Sequence, residues 1–218
     1  MTWNMDYAID VFPRIFDAFL QYTLVVTVLA SALAATLGLV FAVIRGASVP
    51  VLAPLTSVFI EFVRSTPIPI QLFFLFYVMP SIGLTLSGFL IGVLTLGVHY
   101  ACYYAEVYRA GIDAVPRGQW EACTALSMPT RYRWQHVVLP QAIRNVMPSL
   151  GNYVISMFKE TPFLVLISVP EMVQEAISIG GRDFRYLETV TIAGLIFLAA
   201  SYPSAVAMRK LEKRLGHA

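Results

Sequence analysis

A chain of 218 residues that is 58% hydrophobic and only 13% charged, with a mean hydropathy of +0.71, falls far short of the roughly 25% charged residues of a soluble domain. Together with its long uncharged runs, this excludes an ordinary soluble fold and places the chain in a bilayer as an all-α integral membrane protein. The formal net charge of +2 excludes little, because the positions of the charges carry more information than their sum.

In chain order, the segment Thr2–Asp17 is acidic and lacks the basic n-region of a secretory signal. No small-residue cleavage site follows it, so the apolar run behind it is expected to be a retained span. A helix across the hydrocarbon core needs about 20 apolar residues, and five stretches qualify, at about 22–44, 51–79, 86–108, 148–169 and 189–208. The first and last carry no charge. The second is interrupted by Glu61, Arg64, Pro67 and Pro69, the third holds His99 and Glu106, and the fourth holds Lys159, Glu160 and Pro162. The expectation is one transmembrane domain over residues 1–218, with five transmembrane helices and the two termini on opposite sides. Cys102 and Cys123 have no partner at disulfide or metal spacing, so both read as small apolar residues and no metal site is expected.

Lys and Arg in short loops set orientation. Arg45 follows the first span, Arg117, Arg131, Arg133 and Arg144 lie between the third and fourth, and Arg209, Lys210, Lys213 and Arg214 follow the fifth. All fall on one side if the N-terminus is outside and the C-terminus cytoplasmic; Arg182 and Arg185 in the loop Glu171–Glu188 weigh slightly the other way.

The cytoplasmic stretch, about 113–144, is too polar to span and too apolar for a free linker. Trp120, Cys123, Thr124 and Met128 recur at helical spacing. Ser127, Met128 and Pro129 should break that helix, and a second should start with Thr130 as N-cap and stop at Pro140. One account is an amphipathic element lying on lipid headgroups, held by Arg131 and Arg133. The other is a docking element for a partner.

The stretch Glu121–Met128, EACTALSM, followed about ten residues later by Val138–Ala142, VLPQA, resembles the EAA loop of bacterial ABC import permeases. FVRSTPIPIQLFFLFYVMP, AEVYRAGIDAVPRGQWEA and GNYVISMFKETPFL resemble the polar amino acid branch of that family, over roughly Thr23 to Arg209. The run LGVHYACYYAEVYRAGIDAVPRGQWEA is most similar to ectoine/hydroxyectoine permeases. The resemblance implies short coupling helices docked on a cytoplasmic ATPase, with Glu121, Ala122, Ala125, Ser127, Met128 and Pro140 as coupling residues. It also implies a second permease protomer, expected to be a different chain, and an extracytoplasmic solute-binding protein, in the bacterial inner membrane. The family usually has Gly where this chain has Ser127; a non-Gly residue in a left-handed cap costs on the order of 1 kcal/mol. No G-x-x-x-x-G-K-[ST] phosphate loop occurs in the chain, so ATP and magnesium are expected on the partner ATPase and no cofactor on this chain.

Ionisable groups at membrane depth are costly and tend to mark substrate paths. Two clusters share a shape, FVRSTP (Phe62–Pro67) and FKETP (Phe158–Pro162), each joining a cation to Thr-Pro in an apolar span. Proline frees a backbone carbonyl, which is tolerated where the chain lines a cavity. Arg64 has a plainer reading, snorkelling or pairing with Glu61 at i, i+3. Lys159 and Glu160 are adjacent, about 100° apart on a helix, and cannot form a facing pair. Arg64, Thr66, Gln71, Lys159, Glu160 and Thr161 are the substrate-path candidates: Arg64 for a carboxylate, Glu160 for a positive group, the others as neutral partners. His99 and Glu106, seven residues apart, read as a buried structural pair.

Three function classes compete. An ATP-independent channel or carrier leaves the docking loop without a purpose. An intramembrane enzyme needs a nucleophile with a base, or metal ligands, and Ser65, Ser156 and Ser168 have no convincing His partner. The expectation is therefore a non-enzymatic permease subunit of an ATP-driven importer for a small zwitterion, ectoine or hydroxyectoine, with a polar amino acid as the alternative.

Overall fold

The computed structural model describes residues 2–47 and 50–215, and every regular element among them is helical. Asn4 accepts a hydrogen bond from the Tyr7 N–H and opens α1, Met5–Ala18. This helix runs through a π-turn, Phe19–Thr23, into α2, Leu24–Gly46. Next come α3, Leu52–Ser65, and α4, Ile68–Phe73, the latter extended by a π-turn and a 3₁₀ turn to Ile82. Then α5 covers Gly88–Asp113, α6 Arg117–Ala125 and α7 Thr130–Arg133. A π-turn, Trp134–Val138, leads into α8, Leu139–Glu160, and a 3₁₀ segment, Thr161–Ile167, prolongs it. Finally α9, Met172–Asp183, and α10, Tyr186–Arg214, form a hairpin.

Three helices are long and apolar enough to cross a membrane unaided: Met5–Gly46, Gly88–Asp113 and Tyr186–Arg214. Two bent pairs are apolar enough only when taken together, Leu52–Ser65 with Ile68–Ile82 at 103°, and Thr130–Ile167 with Met172–Asp183 at 47°. The expected boundaries change accordingly. The first helix starts at Met5 rather than near 22, because the acids that disguised it all sit on one exposed side while Ala8, Val11, Ile15 and Ala18 are buried. The stretch 51–79 is not one straight helix. Thr66, forced out of the helical region by the following proline, is extended at φ −101°, ψ 132°.

Pro140 does not stop the second cytoplasmic helix. It lies in the first turn of α8, and the preceding π-turn, closed by the Leu139 N–H on the Trp134 carbonyl, gives the wider turn that absorbs a residue without a donor. Gln141 donates to the Val137 carbonyl at 2.8 Å. The expected break between coupling loop and fourth span is thus a continuous helix from Thr130 to Ile167. Thr130 is likewise the first helical residue; Pro129 holds the cap position.

Small residues explain the main helix contact. On α2 Ala30, Ala34, Gly38 and Ala42 are buried at four-residue spacing, and on α5 so are Gly97, Ala101 and Ala105. Such stripes let helix backbones approach where hydrophobicity gives no drive. A Cβ on Gly38 would lie 2.6 Å from Tyr104 Cβ and 2.9 Å from the Ala101 carbonyl. Leu72, Leu96, Tyr100, Met157 and Leu164 complete this core. A second core joins α1 to α9 and α10 through Val11, Ile15, Phe158, Ala176, Ile179 and Ile192. Its polar end is laced together: Arg14 pairs with Glu175 at 2.6 Å, Tyr7 donates to Asp183 at 2.9 Å, and the buried Glu188 accepts from the Asn4 N–H at 3.0 Å and from Arg185.

Candidate functional site

Two regions carry the polar residues singled out above. In the first, α6 sits on a small core of Val115, Val138 and Ala142, with Ile112, Trp120 and Trp134 packed against it. The two indoles meet edge to face at 5.5 Å. Cys123 is buried on this underside, while Glu121, Ala122, Ala125 and Leu126 are exposed on the other. The helix ends in a Schellman motif, with the Met128 N–H on the Cys123 carbonyl and the Ser127 N–H on the Thr124 carbonyl, both at 3.0 Å. Ser127 is left-handed at φ 52°, so the conformation that suits Gly is adopted by Ser. Met128 is half-buried, and Pro140 is exposed on α8. The six coupling candidates lie on α6, the turn that follows it and the first turn of α8.

In the second region, Arg64 sits 4.9 Å over the ring of Tyr103 and 3.9 Å from Glu106, to which Arg45 also bonds. Glu106 thereby ties α2 and α3 to α5, and it is Glu106, not Glu61, that Arg64 approaches. His99 does not pair with Glu106: two turns of helix separate them, and His99 Nδ1 lies 3.1 Å from Gln71 Nε2. Gln71 Nε2 also lies 2.9, 3.0 and 2.8 Å from the Val63 carbonyl, the Thr66 carbonyl and Thr66 Oγ1, which share its two N–H groups. These contacts satisfy backbone groups that the Thr66–Pro67 break leaves open.

Glu160 accepts from the Tyr100 hydroxyl at 2.8 Å, beside a cluster of Tyr100, Tyr103 and Tyr153 with ring centroids 5.5–6.1 Å apart. Lys159 is exposed, and Thr161 is fully buried, its hydroxyl donating to the Phe158 carbonyl. The structure thus splits the six path candidates. Thr66 and Gln71 hold the break, Thr161 caps the end of α8, and Arg64, Lys159 and Glu160 keep polar groups near open surface.

Sequence reasoning named Lys159 but missed the residues that share its side of α8. Asn145, Ser149, Asn152, Ser156 and Lys159 follow one another at intervals of four, three, four and three, which puts all five on one side of α8. Ser149, Asn152, Ser156 and Lys159 are exposed, and Asn145 is half-buried, reaching the Gly111 carbonyl at 3.4 Å. Polar residues at helical period inside an apolar span were the available signal.

Comparison with known proteins follows the same outline. Residues 34–217 match the family described as binding-protein-dependent transport system inner membrane component. The chain is 39% identical over 219 residues to y4tG of Sinorhizobium fredii, named as a probable amino-acid ABC transporter permease; 98% of this chain and 94% of that protein are covered. It is 30% identical over 212 residues to GlnM of Bacillus subtilis, named as a probable glutamine ABC transporter permease, covering 97% and 98% of the two chains. A crystal structure of an amino acid ABC transporter with histidines superposes with a TM-score of 0.91 at 30% identity, covering 98% of this chain and all of that one. These relatives are transport subunits, not enzymes, and the match extends across α6 and α7 and the long apolar helices alike. The chain belongs to the family of binding-protein-dependent transport system inner membrane components.

Proposed function

We propose that this chain is the membrane-spanning permease subunit of an ATP-driven importer for a polar amino acid. The observation that carries the reading is the polar side of α8. A row of Asn, Ser and Lys running along a helix that is otherwise apolar cannot face lipid without a cost of kcal/mol per group. Four of its five members, Ser149, Asn152, Ser156 and Lys159, are exposed within the protomer. It faces either an aqueous path or the second protomer, and a path between two protomers satisfies both. Glu160 and Arg64, with the tyrosine cluster between them, stand at its edge; the carboxylate suits an α-ammonium group and the guanidinium an α-carboxylate.

The amino-acid names of the relatives support a polar amino acid as cargo over ectoine, which draws no support from them. Five crossings, with each bent pair counted once, and the arginines of the cytoplasmic unit support a multi-pass chain with its N-terminus outside. Arg14, Arg182 and Arg185, which fall on the other side, are each paired with an acid. On this reading Glu121, Ala122, Ala125, Ser127 and Met128 dock on a separate ATPase that holds ATP and magnesium. Because α7 and α8 are one continuous helix through Pro140, a displacement of the docked unit is transmitted directly to the polar side of α8. A second protomer, a different chain rather than a second copy, closes the path, and an extracytoplasmic binding protein delivers the solute.

The test is uptake into proteoliposomes holding this chain, its co-purifying partners and the cognate binding protein. Labelled glutamine, arginine, histidine and ectoine are compared with and without ATP. ATP-dependent uptake of an amino acid, abolished by Glu160→Gln with normal assembly, is expected. Uptake indifferent to ATP overturns the importer reading, uptake of ectoine alone overturns the cargo, and full transport by Glu160→Gln removes Glu160 from the path.

A further inference from the structure

The two cores draw on almost separate sets of helices. The first takes its buried residues from α2, α4, α5 and the stretch from α8 to Val169, and none from α1, α9 or α10. The second takes its own from α1, α9 and α10, apart from Phe19 and Phe158. Side chains also tie these three helices to one another: Arg14 to Glu175, Tyr7 to Asp183, and Glu188 to the Asn4 N–H. A Cβ on Gly180 would lie 2.7 Å from Thr189 Oγ1 and 3.2 Å from Tyr186 Cα, so α9 and α10 meet at close backbone approach. Towards the rest of the chain the contact changes character. There α10 meets α8 through the rings of Phe197 and Phe158, 4.9 Å apart, and through Met208, whose flexible side chain covers Gly151. Apolar contacts of this kind have no fixed direction and allow packed helices to slide.

We propose that α1, α9 and α10 form one rigid body, seated on the remaining helices by a single polar joint of Thr23 with Glu171, about which it turns. Among the described residues, the side-chain hydrogen bonds that join the three helices to the rest all meet at Thr23. Its hydroxyl accepts from the Met172 N–H at 3.2 Å and donates to Glu171 Oε2 at 3.4 Å. Thr23 and Glu171 are both fully buried, so neither has water as a substitute partner. Glu171 Oε1 accepts from the Gln174 N–H at 2.7 Å and caps α9, which fixes the carboxyl group to the body it anchors. Both chain connections between the two sets of helices also lie at this point. Thr23 closes the π-turn that joins α1 to α2, and its carbonyl accepts from the Thr27 hydroxyl at 2.7 Å. Glu171 follows the break before α9, where Ser168 is left-handed at φ 56°. Irregular turns of these kinds are where helices bend under load. A body with its own core and its own polar ties, held at one joint between two such turns, moves without unpacking either core.

Distances between paired nitroxides test this on the complete chain, co-purified with its partners in phosphatidylethanolamine–phosphatidylglycerol nanodiscs. Labels go at four exposed positions, Asp6, Leu39, Leu90 and Leu198, mutated to Cys two at a time. The background is Cys102→Ala/Cys123→Ala, which must keep the size-exclusion profile of the parent. The pairs Asp6–Leu198 and Leu39–Leu90 report within each body, and Asp6–Leu39 and Leu90–Leu198 report between them. Thr23→Val removes the hydroxyl at nearly constant volume. It should shift or broaden both distances between the bodies and leave both distances within them unchanged. Thr23→Ser keeps the hydroxyl and should restore the parent distances, while Glu171→Ala should act as Thr23→Val does. Unchanged distances between the bodies in Thr23→Val and Glu171→Ala would mean that apolar packing seats the body by itself, which overturns the proposal. Broadening of all four distances would show loosened packing in place of a joint and overturn it equally. The readout uses neither ATP nor solute, so its failure is independent of the transport reading.

Discussion

Ser127 sits in a left-handed cap at φ 52°, held by two backbone hydrogen bonds, where a side chain costs on the order of 1 kcal/mol relative to Gly. Ser127→Gly should therefore stabilise the end of α6. About 1 kcal/mol is roughly a fivefold change in a local opening equilibrium, so the Met128 amide should exchange with solvent about fivefold more slowly. Hydrogen exchange read by mass spectrometry checks this, and unchanged protection would mean that tertiary contacts already hold the cap. Tyr100 presents a second case. Its hydroxyl is the side-chain donor to Glu160 among the described residues, so Tyr100→Phe should leave the carboxylate unanchored without altering ring packing. Uptake should fall about tenfold or more, on the order of 1.5–3 kcal/mol for a hydrogen bond to a charged group, while detergent stability stays near the parent. Equal uptake would show that Glu160 needs no anchor.

At the scale of elements, the α2–α5 contact rests on backbone approach at Gly38. Gly38→Ala places a methyl group against Tyr104 Cβ and the Ala101 carbonyl, neither of which is the free end of a flexible side chain. Overpacking of this kind costs about 1–3 kcal/mol, so the thermal midpoint in detergent should drop by several degrees. Gly194→Ala, which meets nothing within 4 Å, serves as the control and should not move it. The break between α3 and α4 makes a different demand. Gln71→Leu keeps the volume but removes the amide that reaches Val63, Thr66 and His99. Buried acceptors then lose their donor, at about 1–3 kcal/mol, and the variant should lose stability although no charge has changed. A midpoint equal to the parent's would mean that water replaces the amide.

For the whole molecule, the ionic tie among Arg45, Arg64 and Glu106 connects three helices. Glu106→Gln leaves two guanidinium groups facing an uncharged amide at partial burial, and removing one member of such a set is more harmful than never having had it. Reduced midpoint and reduced assembly with partners are expected, with partial recovery in Arg45→Met/Glu106→Gln. No recovery would show that Glu106 acts elsewhere.

Much of this protein was legible without coordinates. Apolar length announced a membrane chain, and EACTALSM with VLPQA announced its family, because each depends on local composition or short spacing. Other features depended on which side of a helix a residue occupies, and on what another helix brings to it. Arg64 meets Glu106 rather than Glu61, His99 meets Gln71 rather than Glu106, and the aspartates of α1 stand together on one exposed side of a helix. Pro140 was read as a stop because proline lacks a donor; a π-turn one step upstream removed the need for one. Residue type and spacing determined that this is an all-helical membrane chain of its family. Tertiary structure alone decided which polar groups are satisfied within the protomer and which remain open along α8, since burial is a property of neighbours that one strand of sequence does not contain.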